Sequence, residues 1–299
     1  MISKYFKPAF NPYKDCIPSI EQITVLANGK LYVTSARTDI ACWMRCLDPR
    51  TDYTITIEKW IKVENGTRPT CDVFEVECLE YKNRTSDEVW TFYKYMHAQT
   101  YRKDTPKQPS TSEQQPDVHI ILFDSVSHSQ FIRSMPKTSH FLKEFYESIS
   151  FRGYKTDYPN ESWCEEYLDE DQFIGYRFQD AGYISMMSED WAYGVFNWPN
   201  CWGFNHKPVD HYMRPFQIRV EGYYDQSPDM ASKVYNGTCH EEFHHQMEYL
   251  KDFLRVYPDK PKFSITWMSY LAHNDANGLF HSDDYFYNFF KDYKEKVRL

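Results

Sequence analysis

The sequence predicts a mixed α/β protein in which a doubly wound, mostly parallel sheet with helices on both faces follows a small, disulfide-linked β domain. Three observations predict this fold: β-forming runs fill the first hundred residues, a polar proline-containing segment follows, and strand-like runs then alternate with helix-like ones. The predicted parts are a cysteine-rich β domain at 1–103, a linker at 104–117 and an α/β domain at 118–299. A chain of 299 residues has room for two such domains, each with a core.

The β domain is predicted from four segments. In ITVLANGKLYVT, two β-rich runs flank Asn28-Gly29, a pair that tolerates positive φ at both positions of a hairpin turn. YTITIEKWIKV and CDVFEVECLEY alternate apolar and polar residues, and EVWTFYKYMHA is rich in β-formers. KDTPKQPSTSEQQPD then carries three prolines and no large apolar residue, which indicates a linker.

The α/β domain is predicted from alternating strands and helices. VHIILFD is a nearly continuous apolar run, as expected for a parallel strand that is covered on both faces. MPKTSHFLKEFYESI has Pro136 in a predicted first helical turn, and DQFIGYRFQDAG is a predicted helix that Gly182 closes. The remaining predicted strands are ISFRGYK, YISMMS and KFSITWMSYL, and the remaining predicted helices are CHEEFHHQMEYLKDFLRVY and DDYFYNFFKDYKEKV.

The cysteines and glycosylation sequons favour an extracellular or secretory-lumen protein. The eight cysteines, all predicted to pair, are Cys16, Cys42, Cys46, Cys71, Cys78, Cys164, Cys201 and Cys239. The four Asn-x-Ser/Thr acceptors are Asn65, Asn83, Asn160 and Asn236. We expect Cys42 or Cys46 to pair with Cys71 or Cys78. Because five cysteines precede the linker and three follow it, at least one bridge crosses the domains if all of them pair.

Charge and hydropathy exclude two classes of protein. The net charge of −9 argues against a general nucleic-acid binder, which needs a basic surface to neutralise phosphates. No stretch approaches the roughly 20 apolar residues of a transmembrane helix. The start, MISKYFKPAFNPYKDC, lacks the apolar core of a signal peptide, so either the protein is intracellular or its natural N-terminus lies upstream. We expect the second.

Asp124 ends the apolar run VHIILFD and is the first candidate functional residue. Ligands of open α/β sheets bind beyond the carboxyl ends of the strands, where a carboxylate can hold a metal or a substrate. The alternative is that Asp124 caps a helix or forms a turn, since aspartate is common in both places.

Three segments resemble the domain-of-unknown-function 229 proteins: VHIILFDSVSHSQFIRSMPKTSHFL, GYISMMSEDWAYGVFNW with GFNHKPVDHYMRPF, and KFSITWMSYLAHNDANGL. These are secreted or membrane-tethered animal proteins of the alkaline phosphatase and sulfatase superfamily. The resemblance implies one or two divalent cations (Zn²⁺, Mg²⁺, Mn²⁺ or Ca²⁺) at the strand ends and a phosphate or sulfate ester as substrate.

The same resemblance implies roles for individual residues. Asp124 would be a metal ligand, with Asp275 as a weaker companion, and His273 would contact the transferred group. The alternative for His273 is a structural histidine whose ring hydrogen-bonds with backbone carbonyls. Family members carry a Thr or Ser nucleophile before Phe-Pro-Asn, and in GYKTDYPNES the nearest hydroxyl, Thr156, stands one residue too far away. The family's later Ser-Asp-His-Gly metal motif does not occur before Leu299, so we expect this chain to be catalytically incomplete.

Two other interpretations remain open. HEEFH, at 240–244, fits the H-E-x-x-H zinc-protease pattern, in which His240 and His244 would share a helix face and Glu241 would act as base. The alternative for this segment is a solvated helix face. The aromatic residues of SEDWAYGVFNWPNCWGF indicate either the binding surface of a non-enzymatic extracellular protein or a packed lid over the core.

Overall fold

The computed structural model describes residues 5–81, 89–104, 115–146, 148–149, 164–198, 201–221 and 229–294. Its first element is the predicted hairpin, in which β1 (Thr24–Ala27) pairs with β2 (Lys30–Val33). Asn28 and Gly29 both have positive φ, at 51° and 70°, as the two-residue turn requires. This prediction is confirmed. The predicted strand ISFRGYK lies almost wholly outside the described residues.

The second element is a five-stranded antiparallel sheet. Its strands are β3 (Ile40–Pro49), β4 (Ile55–Ile57), β5 (Ile61–Lys62), β6 (Val73–Tyr81) and β7 (Val89–Ala98). The order is β4-β3-β6-β7, with β5 also paired to β3. The sequence reading did not predict β3. This strand carries Cys42 and Cys46, which pair with Cys78 and Cys71 and so confirm the expected pairing.

The third element is a four-stranded parallel sheet with helices around it, which confirms the mixed α/β class. The strands are β8 (Val118–Phe123), β9 (Ile184–Glu189), β10 (His211–Tyr212) and β11 (Lys262–Met268), in the order β10-β9-β11-β8. The helices are α1 (His128–Ser134), α2 (Pro136–Phe145), α3 (Ile174–Asp180), α4 (Arg214–Glu221), α5 (Met230–Val234), α6 (Glu242–Val256), α7 (Tyr270–His273) and α8 (Asp283–Tyr293).

Both faces of the parallel sheet are covered, and alternate residues of a strand therefore pack in opposite directions. On one face, Phe263 of β11 stacks on Phe178 of α3 with ring centroids 4.2 Å apart. On the other face, Phe123 of β8 meets Phe286 of α8 edge-on at 4.9 Å. Burial on two faces explains why VHIILFD is apolar throughout instead of alternating.

The antiparallel sheet and the α/β region share one hydrophobic core. A single cluster of buried residues contains Met44 and Phe74 of the antiparallel sheet together with Phe216 of α4 and Leu250 of α6. The disulfide Cys16–Cys239 joins the N-terminal segment to the residues just before α6, so a bridge does cross the linker as expected. The fourth disulfide is Cys164–Cys201, and all eight cysteines are therefore paired. The domain boundaries at 103 and 118 stay predictions.

Candidate functional site

Asp124 lies at the carboxyl end of β8, on an edge strand of the parallel sheet. Its backbone N–H donates to Met268 O at 2.9 Å, which extends the pairing with β11 by one residue. Ser125 then turns the chain with a positive φ of 58°, and Ser127 caps α1 by accepting from Gln130 N at 3.2 Å. The helix-cap alternative for Asp124 is therefore wrong, because Ser127 fills that role, but Asp124 does lie in the turn that follows β8, as the turn alternative expects. The partly exposed Asp124 carboxylate accepts a long hydrogen bond of 3.4 Å from Ser125 Oγ.

His273 lies at the same edge of the sheet. The short helix α7 follows β11 directly, and β11 is the parallel neighbour of β8. His273 is exposed, and its Nδ1 hydrogen-bonds with the side-chain oxygen of Asn274 at 3.1 Å. This partner is a side chain, not the backbone carbonyl of the alternative interpretation. The roles proposed for Asp124 and His273 stay predictions.

Asp275 is engaged in its own turn. Its Oδ1 accepts from the backbone N–H and the side-chain amide of Asn277, both at 2.8 Å. These hydrogen bonds hold the pKa of Asp275 below its usual value. The role of Asp275 as a companion metal ligand stays a prediction.

Sequence reasoning missed Asp190, the acid that follows β9. It is 1% exposed, and its two carboxyl oxygens accept from Ser269 N at 2.7 Å and Tyr270 N at 3.1 Å. Asp190 thus fixes the backbone that leads from β11 into α7 and so positions His273. Burial raises its pKa to about 8. The signal that singled out Asp124, an acid directly after an apolar run, is also present in YISMMSED.

More buried carboxyl groups surround the end of β9. Burial raises the pKa of Glu189 to about 7, and Glu189 Oε1 accepts from Val195 N at 2.8 Å. Glu221 accepts from Ala192 N at 2.9 Å and from Gln217 Nε2 at 2.7 Å, and burial raises its pKa as well. The chain after β9 is therefore held by acids that are protonated more readily than usual.

The aromatic segment after β9 divides into a packed part and an exposed part. Phe196 and Phe204 pack edge-on in the core with ring centroids 5.4 Å apart, as the lid interpretation expects. Trp191 contacts Trp198 at 5.5 Å, yet Trp198 is 60% exposed and Trp202 is 46% exposed. The disulfide Cys164–Cys201 holds this segment. The lid interpretation therefore describes the packed part, and the binding-surface interpretation stays a prediction.

Within the described ranges, no group of three or more His, Cys, Asp or Glu side chains is arranged to hold a metal ion. Asp124 and Asp190 end the two strands that flank β11, and with neighbouring strands about 4.8 Å apart their Cα atoms lie roughly 10 Å from each other. Thr156 lies outside the described residues.

The HEEFH segment does not have the geometry of a zinc-protease helix. Cys239 has left-handed φ and α6 begins at Glu242, so His240 precedes the helix and the assumed spacing on one helix face is wrong. Glu241 caps α6: its N–H donates to Nδ1 of His244 at 3.1 Å, and its carboxylate accepts from Nε2 of His281 at 2.6 Å. Glu241 is thus committed to structure.

Two of the predicted glycosylation sites lie in the described part of the chain. Asn65 and Asn236 are exposed, and their side-chain oxygens accept from Val33 N at 3.2 Å and from the Tyr13 hydroxyl at 3.0 Å. Asn83 and Asn160 lie outside it. Among the helices described, none has the length and apolar character to cross a bilayer.

Comparison with known proteins gives one match. A family model described as "Protein of unknown function (DUF229)" matches residues 24–160 and 155–299. No curated protein and no solved structure matches the chain.

Proposed function

The chain belongs to the DUF229 family, and from that premise we propose that it is an extracellular protein of the alkaline phosphatase and sulfatase superfamily, with a doubly wound fold built for metal-dependent hydrolysis of phosphate or sulfate esters. The observation that carries the proposal is the edge at which β8, β9 and β11 end. Asp124 follows the first strand, Asp190 the second, and His273 stands four residues after Ser269 at the end of the third. Open parallel sheets bind their ligands at this edge.

Each side chain has a role that its surroundings support. Asp124, partly exposed and accepting only a long hydrogen bond, offers carboxylate oxygens to a hard divalent cation. A cation there would stabilise negative charge on a phosphoryl or sulfuryl group, and the exposed His273 ring could donate to an oxygen of that group. Asp190 is a positioning residue, since its carboxyl group holds the backbone at Ser269 and Tyr270.

The proposal for the cation is limited to one ligand. Asp190 is buried and already accepts two backbone hydrogen bonds, and Asp275 is bound to its own turn through Oδ1. The other ligands, and any nucleophile such as Thr156, would come from outside the described residues.

The test is ester hydrolysis with p-nitrophenyl phosphate and p-nitrophenyl sulfate, each with Mg²⁺, Mn²⁺, Zn²⁺ and Ca²⁺ in turn. Any turnover that the chain retains should require one of these cations and should fall at least roughly 100-fold in Asp124→Asn, because one carboxylate ligand is removed. Asp284→Asn, which changes an exposed acid of α8, is the matched control and should keep full activity. Turnover that survives Asp124→Asn would contradict the proposal.

The second candidate is a non-enzymatic extracellular binding protein. The observation that favours it is the exposure of Trp198 and Trp202 on a segment held by the disulfide Cys164–Cys201. Exposed aromatic side chains on a rigid segment are typical of binding surfaces. Absence of turnover with every cation and both esters would favour this candidate over the hydrolase.

A further inference from the structure

A cavity lies between the antiparallel sheet and α6. It has a volume of about 490 Å³, within the range of small-ligand sites. Its sheet side is formed by Tyr95, His97 and neighbouring residues of β7, and its helix side includes His240, His244 and His245. Neither the DUF229 resemblance nor the proposed hydrolase site uses these histidines.

Two imidazole nitrogens in this cavity are buried without a hydrogen-bond partner among the described residues. They are Nδ1 of His240 and Nε2 of His245. Each of these nitrogens can present a lone pair when the proton of the neutral ring is on the other nitrogen of that ring.

The distance between the two rings suits a shared ion. The ring centroids of His240 and His245 lie 6.1 Å apart. An ion bound at about 2.0–2.1 Å by one nitrogen of each ring holds the centroids between about 5 and 6.4 Å apart, for bond angles from tetrahedral to linear. His244 is not a third ligand, because its Nδ1 already accepts from Glu241 N, which leaves the proton of the neutral ring on Nε2.

We propose that His240 and His245 form a two-histidine site for a borderline transition-metal cation such as Zn²⁺, separate from the edge that carries Asp124. Neutral imidazole nitrogens suit such a cation, whereas hard cations prefer carboxylate oxygens. Water or an incoming ligand would complete the coordination. Glu248 and Asp252 also line the cavity, and each is paired with a basic residue that lines it, Lys251 or Arg255.

The experiment is titration of the EDTA-treated full chain with ZnCl₂, followed by isothermal calorimetry and by thermal unfolding. We expect one Zn²⁺ per chain, with at least roughly tenfold weaker binding in His240→Ala and in His245→Phe. His140→Ala, which changes an exposed histidine of α2, should bind like the wild type. The thermal shift caused by Zn²⁺ should vanish in His240→Ala, because only ligand bound to the folded state stabilises it.

Two outcomes would overturn this site. Either no Zn²⁺ binds, in which case water alone fills the cavity, or both variants bind Zn²⁺ as the wild type does, which would show adventitious surface binding. His240→Ala leaves the core intact and covers the case in which His245→Phe fails to fold. Asp124→Asn should retain this Zn²⁺, so failure of the hydrolase proposal and failure of the two-histidine site can be told apart.

Discussion

The substitution Glu75→Gln tests whether the antiparallel sheet and the α/β region are one folding unit. Glu75 lies on β6, and its Oε2 accepts from Nε of Arg219 on α4 at 2.7 Å. Both side chains are buried, with 2% and 4% exposure, and Arg45 of β3 pairs with the other carboxylate oxygen. This carboxylate therefore neutralises a buried guanidinium across the boundary between the two regions.

The expected cost follows from that burial. Removing the negative charge of a buried ion pair weakens the compensation of the remaining buried charge and costs up to about 3–5 kcal/mol. Arg45 is 21% exposed and can be solvated, so most of the loss comes from Arg219. For a chain of this size a loss of 3–5 kcal/mol corresponds to a fall in Tm of roughly 5–8 °C.

Urea unfolding with the disulfides intact, followed by far-UV and near-UV circular dichroism, measures this loss. The matched control is Glu77→Gln on the same strand, where the side chain is 22% exposed and Lys94 Nζ lies 4.0 Å away. We expect the control to cost about 1 kcal/mol or less, as exposed ion pairs do. Equal losses in the two variants, or separate transitions for the sheet and the helices, would refute a shared core.

Three further changes have defined outcomes. Burial lowers the pKa of His97 to about 3, below the value near 6.5 of the unfolded chain, so the free energy of unfolding should fall as pH drops from 6.5 towards 3. His97→Gln should lose roughly 2–3 kcal/mol less than the wild type between pH 6.5 and pH 4.5, and identical pH profiles would rule out this role. The double change Cys16→Ser and Cys239→Ser removes a disulfide that spans 223 residues, and the free energy of unfolding measured in urea should fall by about 2–5 kcal/mol. No loss would mean that other contacts hold the N-terminal segment. Asp190→Ala leaves the N–H groups of Ser269 and Tyr270 without their hydrogen-bond acceptor and should lower the free energy of unfolding by about 1–3 kcal/mol. Hydrogen exchange at 269–273 should also become faster. Unchanged exchange there would show that Asp190 does not position α7.

Elements with a strong local signal could be predicted from the sequence. The Asn28-Gly29 turn requires positive φ at both positions, and the apolar run at 118–123 requires cover on both faces, so both features were predicted. The strand β3 was missed, because IACWMRCLDP mixes charged and apolar residues and its pairing depends on β6, about thirty residues away.

Features that depend on distant contacts could not be predicted. The start of α6 lies after His240 and not before it, because Cys239 takes a left-handed conformation and is tied to Cys16 across the chain. Asp190 follows a predicted strand, yet only the fold shows that its carboxyl group binds the backbone after β11. For the candidate site, the sequence led to Asp124 and His273 at one edge, but the local turn that occupies Asp275 was not predicted.

The most direct test of the central proposal is the binding of Mn²⁺, a hard cation that favours carboxylate oxygens, measured by electron paramagnetic resonance on the wild type, Asp124→Asn and Asp284→Asn. We expect one Mn²⁺ per chain in the wild type and in Asp284→Asn, with at least roughly tenfold weaker binding in Asp124→Asn. Mn²⁺ binding that is the same in all three proteins would show that the carboxylate at the end of β8 holds no cation.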